Sequence, residues 1–167
     1  MKGRLRRTVA GLFLFGISFG YVEAAVVIYL RALYEPLRQR LTPGRASGDL
    51  FPLVDRDRMV AAAPETGRLL TLEVIREAAT IVMLVSVALL AASKTSTRWA
   101  AFLWVFALWD IAYYAGLWAT VRWPASLTDL DVLFLIPVPW IAQVWFPLLV
   151  SGLTVSAIAI SSARKSA

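Results

Sequence analysis

The sequence predicts an all-α fold: a polytopic integral membrane protein with four transmembrane helices in an antiparallel bundle, forming a single membrane domain over residues 1–167. Two observations favour this fold class. The 167 residues are 59% hydrophobic and only 17% charged, whereas soluble domains carry about 25% charged residues. The apolar residues also cluster into four stretches, each close to or above the roughly 20 residues needed to cross a bilayer.

The first transmembrane helix is predicted over residues 8–33, directly after the basic N-terminus MKGRLRR. A signal peptide begins in a similar way, and VEAA at 22–25 is a faint candidate for a cleavage site. The apolar stretch continues to position 33, however, which is too long for the apolar region of an ordinary signal peptide. We therefore expect this segment to be retained as a membrane helix.

A long connection is predicted over residues 34–68. It is rich in Arg, Asp, Pro and Gly, and TPGRASGD at 42–49 is typical of a turn or a flexible segment. Residues 50–63, LFPLVDRDRMVAAA, are a candidate for a short interfacial segment that lies along the membrane surface.

Three further transmembrane helices are predicted, over residues 69–92, 99–121 and 132–160. The segments SKTSTR and RWPASLTDLD connect them. The fourth helix is expected to begin near Asp131, to contain Pro137 and Pro139 in its first turns, and to be interrupted again by Pro147. Residues 161–167 are expected to form a polar, basic tail.

The orientation is predicted from the positions of Lys and Arg. The short flanking segments MKGRLRR, SKTSTR and SSARKSA contain four, two and two of these residues, and Lys and Arg in short flanks mark the cytoplasmic side of a membrane protein. The long 34–68 connection contains six Arg, partly balanced by five acidic residues, and long connections follow this rule less strictly. The segment between the third and fourth helices contains Arg122 as its one basic residue. Both termini are therefore predicted to be cytoplasmic in a bacterial-type inner (plasma) membrane, with the 34–68 connection outside.

The chain contains no cysteine and no histidine, which excludes several kinds of site. Disulfides and Cys nucleophiles are impossible, and no haem or zinc site of the His or Cys type can form. Catalytic pairs that use histidine are excluded as well. The net charge of +6 lies in tails and loops, where membrane proteins normally carry it, so no nucleic-acid partner is expected.

Ionisable residues on three predicted helices are expected to meet in the outer half of the bundle. Glu73, Arg76 and Glu77 share one helix face because their spacing is i, i+3, i+4. Glu23 on the first helix and Asp110 on the third are predicted at comparable depth. Because a charge that faces lipid near the membrane centre costs at least about 2.5–3.5 kcal/mol, these side chains should point into the bundle. The residues expected to support this cluster are Tyr113, Tyr114, Gln143 and Asp131.

The predicted cluster carries more acid than base. One Arg cannot neutralise four carboxylates in a low-dielectric interior, so either some of them are protonated or a cation sits among them. Carboxylates suit protons and hard cations. If the cation is a metal ion, its expected ligands are Glu23, Glu77 and Asp110. The alternative is a purely structural network that fixes the register of the helices.

Three functions follow as hypotheses. The first is a small transporter or channel-like protein for protons or a cation. The second is an accessory or assembly subunit of a larger membrane complex. The third is a membrane enzyme acting on a lipid head group, in which Glu and Asp side chains hold a divalent ion and Arg76, Arg56 and Arg58 bind phosphate. It is less favoured because the sequence lacks the usual catalytic motifs. The expected partners are the lipid bilayer and either further copies of the chain or a larger membrane complex.

Overall fold

A computed structural model describes residues 2–41, 43–44 and 56–164 of the chain. These residues are mostly helical, and four of the helices are long and apolar enough to cross a membrane. The elements in chain order are α1 (Lys2–Leu41), α2 (Arg56–Ala62), α3 (Thr66–Ala91), α4 (Thr95–Val121), β1 (Leu130–Phe134), β2 (Trp140–Gln143) and α5 (Trp145–Arg164).

The first helix is longer than the sequence predicts. It continues past position 33 to Leu41, with Pro36 inside it. The added turns are stabilised by an i, i+3 pair in which Arg38 Nε donates to Glu35 Oε2 at 2.7 Å. The buried ring of Tyr34 joins a small core with Met59 of α2. This packing keeps the segment helical although its composition resembles that of a loop.

The other predicted boundaries differ by smaller amounts. Helices α3 and α4 begin three and four residues before the predicted positions 69 and 99, which is close to the usual uncertainty in helix ends. Within the predicted interfacial segment 50–63, residues 56–62 form α2. Most of the predicted turn at 42–49 and the last residues of the tail, 165–167, lie outside the described residues.

The prediction of an all-α chain with a fourth helix over 132–160 is wrong in its first half. Strands β1 and β2 form an antiparallel hairpin, with Leu130 paired to Gln143 and Asp131 to Ala142. The hairpin contains β-branched and aromatic residues, which suit a strand; examples are Val132, Phe134 and Trp140. A continuous apolar stretch does not by itself distinguish a strand from a buried helix, and this explains the error.

The prolines of this region have different roles from those predicted. Pro137 and Pro139 lie in the loop that joins the two strands, not in the first turns of a helix. Pro147 is the third residue of α5, where its missing N–H would have had no partner within the helix. It therefore does not interrupt the helix.

Helices α1 and α4 are in close contact through small residues. Gly16 and Gly20 of α1 both face α4, and a Cβ atom on Gly20 would lie only 2.7 Å from the Cβ of Ala112. Further along, a Cβ on Gly116 would lie 3.0 Å from the Cβ of Ala24. Because later residues of α1 meet later residues of α4, these two helices run in the same direction.

The segment after α4 is held by specific contacts that place the hairpin. Arg122 ends the helix in the left-handed conformation (φ 56°), and its N–H donates to the carbonyl of Trp118 at 3.1 Å. Its guanidinium lies 4.6 Å from the centre of the Trp118 ring. The carboxylate of Asp129 then accepts hydrogen bonds from the N–H groups of Ala125 and Ser126 at 2.8 and 3.0 Å. These contacts fix the turn that leads into β1.

Candidate functional site

A cavity of about 310 Å³ lies between α1, α3, α4, α5 and the hairpin. Its walls are mainly apolar, but several ionisable side chains reach it from different elements. The five residues that the sequence predicts as the core of the cluster all line it: Glu23, Glu73, Arg76, Glu77 and Asp110. Helical spacing brings three of them to one face of α3, and the α1–α4 and α3–α4 contacts bring the others next to it.

Arg76 connects two of the acidic residues. Its Nη1 donates to Glu23 Oε2 on α1 at 2.7 Å, and its Nε donates to Glu73 Oε1 at 2.8 Å. The Nη2 atom also contacts Glu73. Both carboxylates are buried, so the shared guanidinium offsets much of the cost of removing them from water. This ion pair ties α3 to α1.

Glu77 binds the loop of the hairpin. The backbone N–H of Leu135 donates to both of its carboxylate oxygens at 3.0 and 2.9 Å, and the N–H of Ile136 donates to Oε1 at 3.2 Å. The two prolines that follow have no N–H to satisfy. Glu77 thus accepts from two of the three N–H groups in the loop 135–139. These two N–H groups are half-buried and need a partner wherever water does not reach them.

Asp110 has one oxygen without a partner. The hydroxyl of Ser151 on α5 donates to its Oδ2 at 2.8 Å. The other oxygen, Oδ1, makes no hydrogen bond or ion pair with any described residue. The residue is only 9% exposed and lines the cavity. Asp110 therefore offers a free acceptor, in a poorly solvated position, to whatever occupies the cavity.

Asp131 forms a second polar group on the hairpin side of the cavity. The hydroxyls of Tyr114 and Tyr113 donate to its Oδ2 at 3.0 and 3.3 Å, and the N–H of Val132 donates to its Oδ1 at 3.0 Å. Burial raises the pKa of Asp131, while the positive charge of Arg31 and the tyrosine hydroxyls oppose this rise. The carboxyl is thus held mainly by neutral donors.

The supporting residues predicted from the sequence have different outcomes. Tyr113, Tyr114 and Asp131 line the cavity, although Asp131 lies on a strand and not at a helix start. Gln143 was expected inside a helix beside the cluster, and this is wrong. It is exposed at the end of β2, where it accepts a hydrogen bond from Trp145 Nε1 at 2.6 Å, because the hairpin replaces the first turns of the predicted helix.

The predicted metal ligands Glu23, Glu77 and Asp110 do not form a metal centre. Within the described ranges, no group of three or more acidic side chains is placed to hold a metal ion. The physical reason is that each carboxylate is directed to a different partner. Glu23 faces a guanidinium, Glu77 faces backbone N–H groups, and Asp110 faces a serine hydroxyl.

Two residues at the cavity were not predicted from the sequence. Arg31 lies two helical turns after Glu23, and its guanidinium sits 4.0 Å from the centre of the Trp123 ring. Its i+8 spacing from Glu23 could have identified it. Ser151 carries no comparable signal, because a serine in an apolar helix usually bonds to its own backbone.

The cavity thus combines five carboxyl groups with two guanidinium groups in a mainly apolar enclosure. Such an arrangement can bind a positive charge or hold protons, since the acids outnumber the bases. No known protein family, curated protein or solved structure matches the chain.

Proposed function

We propose that this chain is a multi-pass membrane protein that binds and transports protons or a cation through the cavity between its helices. The observation that carries the proposal is Asp110, a buried carboxylate with one unpartnered oxygen on the cavity wall. Neither Asp110 nor Glu77 makes an ion pair within the described part of the chain. Buried acids without a basic partner favour uptake of a proton or a cation.

The outer surfaces of the long helices support a membrane location. On α3, large apolar side chains point away from the rest of the protein, including Leu72 (63% exposed), Val82 (63%) and Leu90 (89%). In water, such a continuous apolar surface would promote aggregation, whereas in a bilayer it meets lipid. Glu73, Arg76 and Glu77 of the same helix line the cavity instead.

The hairpin supports the same placement. Glu77 lies 11 residues into α3, which is about 16 Å along the helix axis. Non-helical backbone is tolerated at such depth only where protein groups satisfy its polar atoms. The contacts of Glu77 with Leu135 and Ile136 meet this requirement. In our proposal the hairpin enters from the side opposite to the two termini and covers the cavity.

With the termini in the cytoplasm, as the distribution of Lys and Arg favours, the cavity lies in the outer half of the bundle. The inner membrane of a bacterium is the location we propose for this arrangement. The shared direction of α1 and α4 agrees with successive long helices that alternate in direction, because these are the first and third of the four.

A subunit role is the second candidate, and one observation favours it. Only 6% of the residues in the most apolar stretch of α5 are buried within the chain. Most of the surface of this helix is therefore left for lipid, another copy or a different subunit. The enzyme hypothesis receives less support. Among the described residues of the cavity, Arg76 is paired with two carboxylates and Arg31 lies beside Trp123 and Asp131, so both guanidiniums already have neighbours that a phosphate would have to compete with.

The test is a flux measurement in proteoliposomes. Purified protein is reconstituted, and the flux of H⁺, Na⁺ and K⁺ is followed under an imposed gradient. We expect a protein-dependent flux that is lost in Asp110→Asn. The matched control is Glu65→Gln, which removes a carboxylate from an exposed position before α3 that makes no capping bond. An Asp110→Asn variant that folds and retains full flux would overturn the role of Asp110. Protein that carries none of the three ions would refute transport of H⁺, Na⁺ and K⁺.

A further inference from the structure

We propose that the cavity binds a small organic ammonium ion, with Asp110 as its charge partner and aromatic rings around its apolar body. The inference rests on the proposed function and narrows its substrate class. Besides Asp110, the structural basis is a set of aromatic side chains on the cavity wall. These are Phe106, Trp109, Tyr113, Tyr114, Phe134, Trp140 and Phe146.

Asp110 supplies the anchor for the positive charge. The residue is nine-tenths buried and lines the cavity, and its Oδ1 atom has no hydrogen-bond partner among the described residues. A buried carboxylate with a single hydroxyl donor and no positive partner is costly, and a cation placed beside it removes much of that cost. The unpartnered oxygen therefore points to a bound cation independently of the number of acidic residues around the cavity.

Three rings form a continuous aromatic surface next to this anchor. Phe106 and Trp109 lie within one turn of Asp110 on α4, with ring centres 5.3 Å apart. The ring of Phe134, from the hairpin, stacks on Phe106 at 6.3 Å and lies 6.4 Å from Trp109. Aromatic faces attract cations that shed their water easily, such as alkylammonium groups. A ligand with both a charge and an apolar body uses both features.

A metal ion fits the same walls poorly. Calcium takes six to eight oxygen ligands, and magnesium requires a near-ideal octahedron that usually includes several waters. The described acidic side chains provide no group of three ligands, and most of the wall is apolar. The volume of about 310 Å³ is at the lower end of the range for pockets that hold organic ligands. The cavity therefore suits a small amine better than a bare ion.

The experiment uses the full-length protein in detergent or nanodiscs and radiolabelled benzyltrimethylammonium as the probe. Three competitors separate the contributions: tetramethylammonium has the charge without the ring, phenylmethanesulfonate has the ring with the opposite charge, and Mg²⁺ is a metal ion. We expect saturable binding of the probe, weak competition by tetramethylammonium, and no competition by phenylmethanesulfonate or Mg²⁺. Equal competition by phenylmethanesulfonate, or the absence of saturable binding, would overturn the inference.

Variants locate the binding. Asp110→Asn should weaken probe binding at least about tenfold, since a desolvated charge pair is lost. Phe134→Leu keeps an apolar side chain but removes one ring, and we expect a loss of about three- to thirtyfold. Glu65→Gln, away from the cavity, should bind as the parent does. Thermal unfolding of each variant identifies any that fail to fold, and the remaining variants decide the result.

The outcomes separate this inference from the proposed function. If the probe binds in an Asp110-dependent manner but no flux of H⁺, Na⁺ or K⁺ occurs, the ligand class holds and transport of those three ions is refuted. If Asp110-dependent ion flux occurs without probe binding, the proposed function holds and the organic ligand is refuted.

Discussion

Replacing Glu77 by leucine is expected to release the loop of the hairpin. In the parent protein its carboxylate accepts three contacts of 2.9–3.2 Å from the N–H groups of Leu135 and Ile136. Leucine has similar bulk but accepts no hydrogen bond. Both N–H groups, which are half-buried within the protein, would then lack a partner, or the loop would move until water reaches them.

The magnitude follows from the number of donors. A fully buried donor without a partner costs about 1–3 kcal/mol. Because these two donors are half-buried, roughly 2–6 kcal/mol is the upper limit of the cost, less whatever is regained by removing a carboxylate from an apolar site. Glu77→Gln retains one acceptor oxygen without its charge. We expect it to cost about 1–2 kcal/mol, since bonds to a charged acceptor are worth roughly twice those to a neutral one.

Hydrogen exchange measures this effect directly. The loop 135–139 contains only three backbone amide hydrogens, because Pro137 and Pro139 have none. Residue-resolved exchange should show protection of Leu135 and Ile136 in the parent. In Glu77→Leu this protection should fall by about tenfold for each 1.4 kcal/mol lost. Thermal unfolding reports whether the loss is local or global.

The matched control for this experiment is Ser86→Ala on the same helix. The Ser86 hydroxyl bonds only to the carbonyl of Val82 in its own helix, so the control should leave exchange in the loop unchanged. The reasoning is refuted if the two amides exchange freely in the parent, or if Glu77→Leu protects them equally well.

Three other variants test the packing and the charges. Gly20→Leu should destabilise the protein by at least about 1–3 kcal/mol, because the leucine side chain would overlap α4. In the control Gly152→Ala, the added methyl group meets nothing within 4 Å, so this variant should be neutral in thermal unfolding. Arg76→Leu should lower the free energy of unfolding by about 3–5 kcal/mol, because it leaves two carboxylates unpaired. Adding Glu23→Gln should restore part of this stability. An additive loss in the double variant would contradict the pairing. The raised pKa of Asp131 means that the folded state binds its proton more tightly than the unfolded state does. Stability should therefore fall as the pH rises from about 4 through the folded pKa. Over that range the difference in Tm between Asp131→Asn and the parent should grow in favour of the variant, and a constant difference would refute the assignment.

Much of the helical framework and part of the site could be predicted from the sequence. The length and apolar character of the α3 and α4 segments gave their approximate positions, since an uninterrupted helix of that length is the simplest way to cross a bilayer. The spacing of Glu73 and Arg76 predicted their contact, because i, i+3 neighbours face each other on any helix. Two small residues four positions apart, such as Gly16 and Gly20, are also typical of a helix face that packs closely.

The hairpin and its contact with Glu77 could not be predicted in the same way. The partner of Glu77 is the backbone of Leu135 and Ile136, and backbone N–H groups are present at every residue except proline. They leave no signature in the sequence. The apolar stretch from Val132 onward fits a helix as well as a strand. The prolines were the one available signal of a break, but a kinked helix accounts for them equally well.

The order of synthesis determines when each charged side chain of the cavity meets its partner. Glu23 is made first, and Arg76 arrives on the next long helix, so their pairing needs only the first half of the chain. Asp110 follows on α4, but its partner Ser151 is on α5. We expect a chain that stops at position 121 to hold an unpaired aspartate in the membrane, and pulse-chase labelling should show it degraded faster than the full chain. Insertion of α5 would then supply the partner of Asp110, and we expect it to protect the chain from degradation in the membrane.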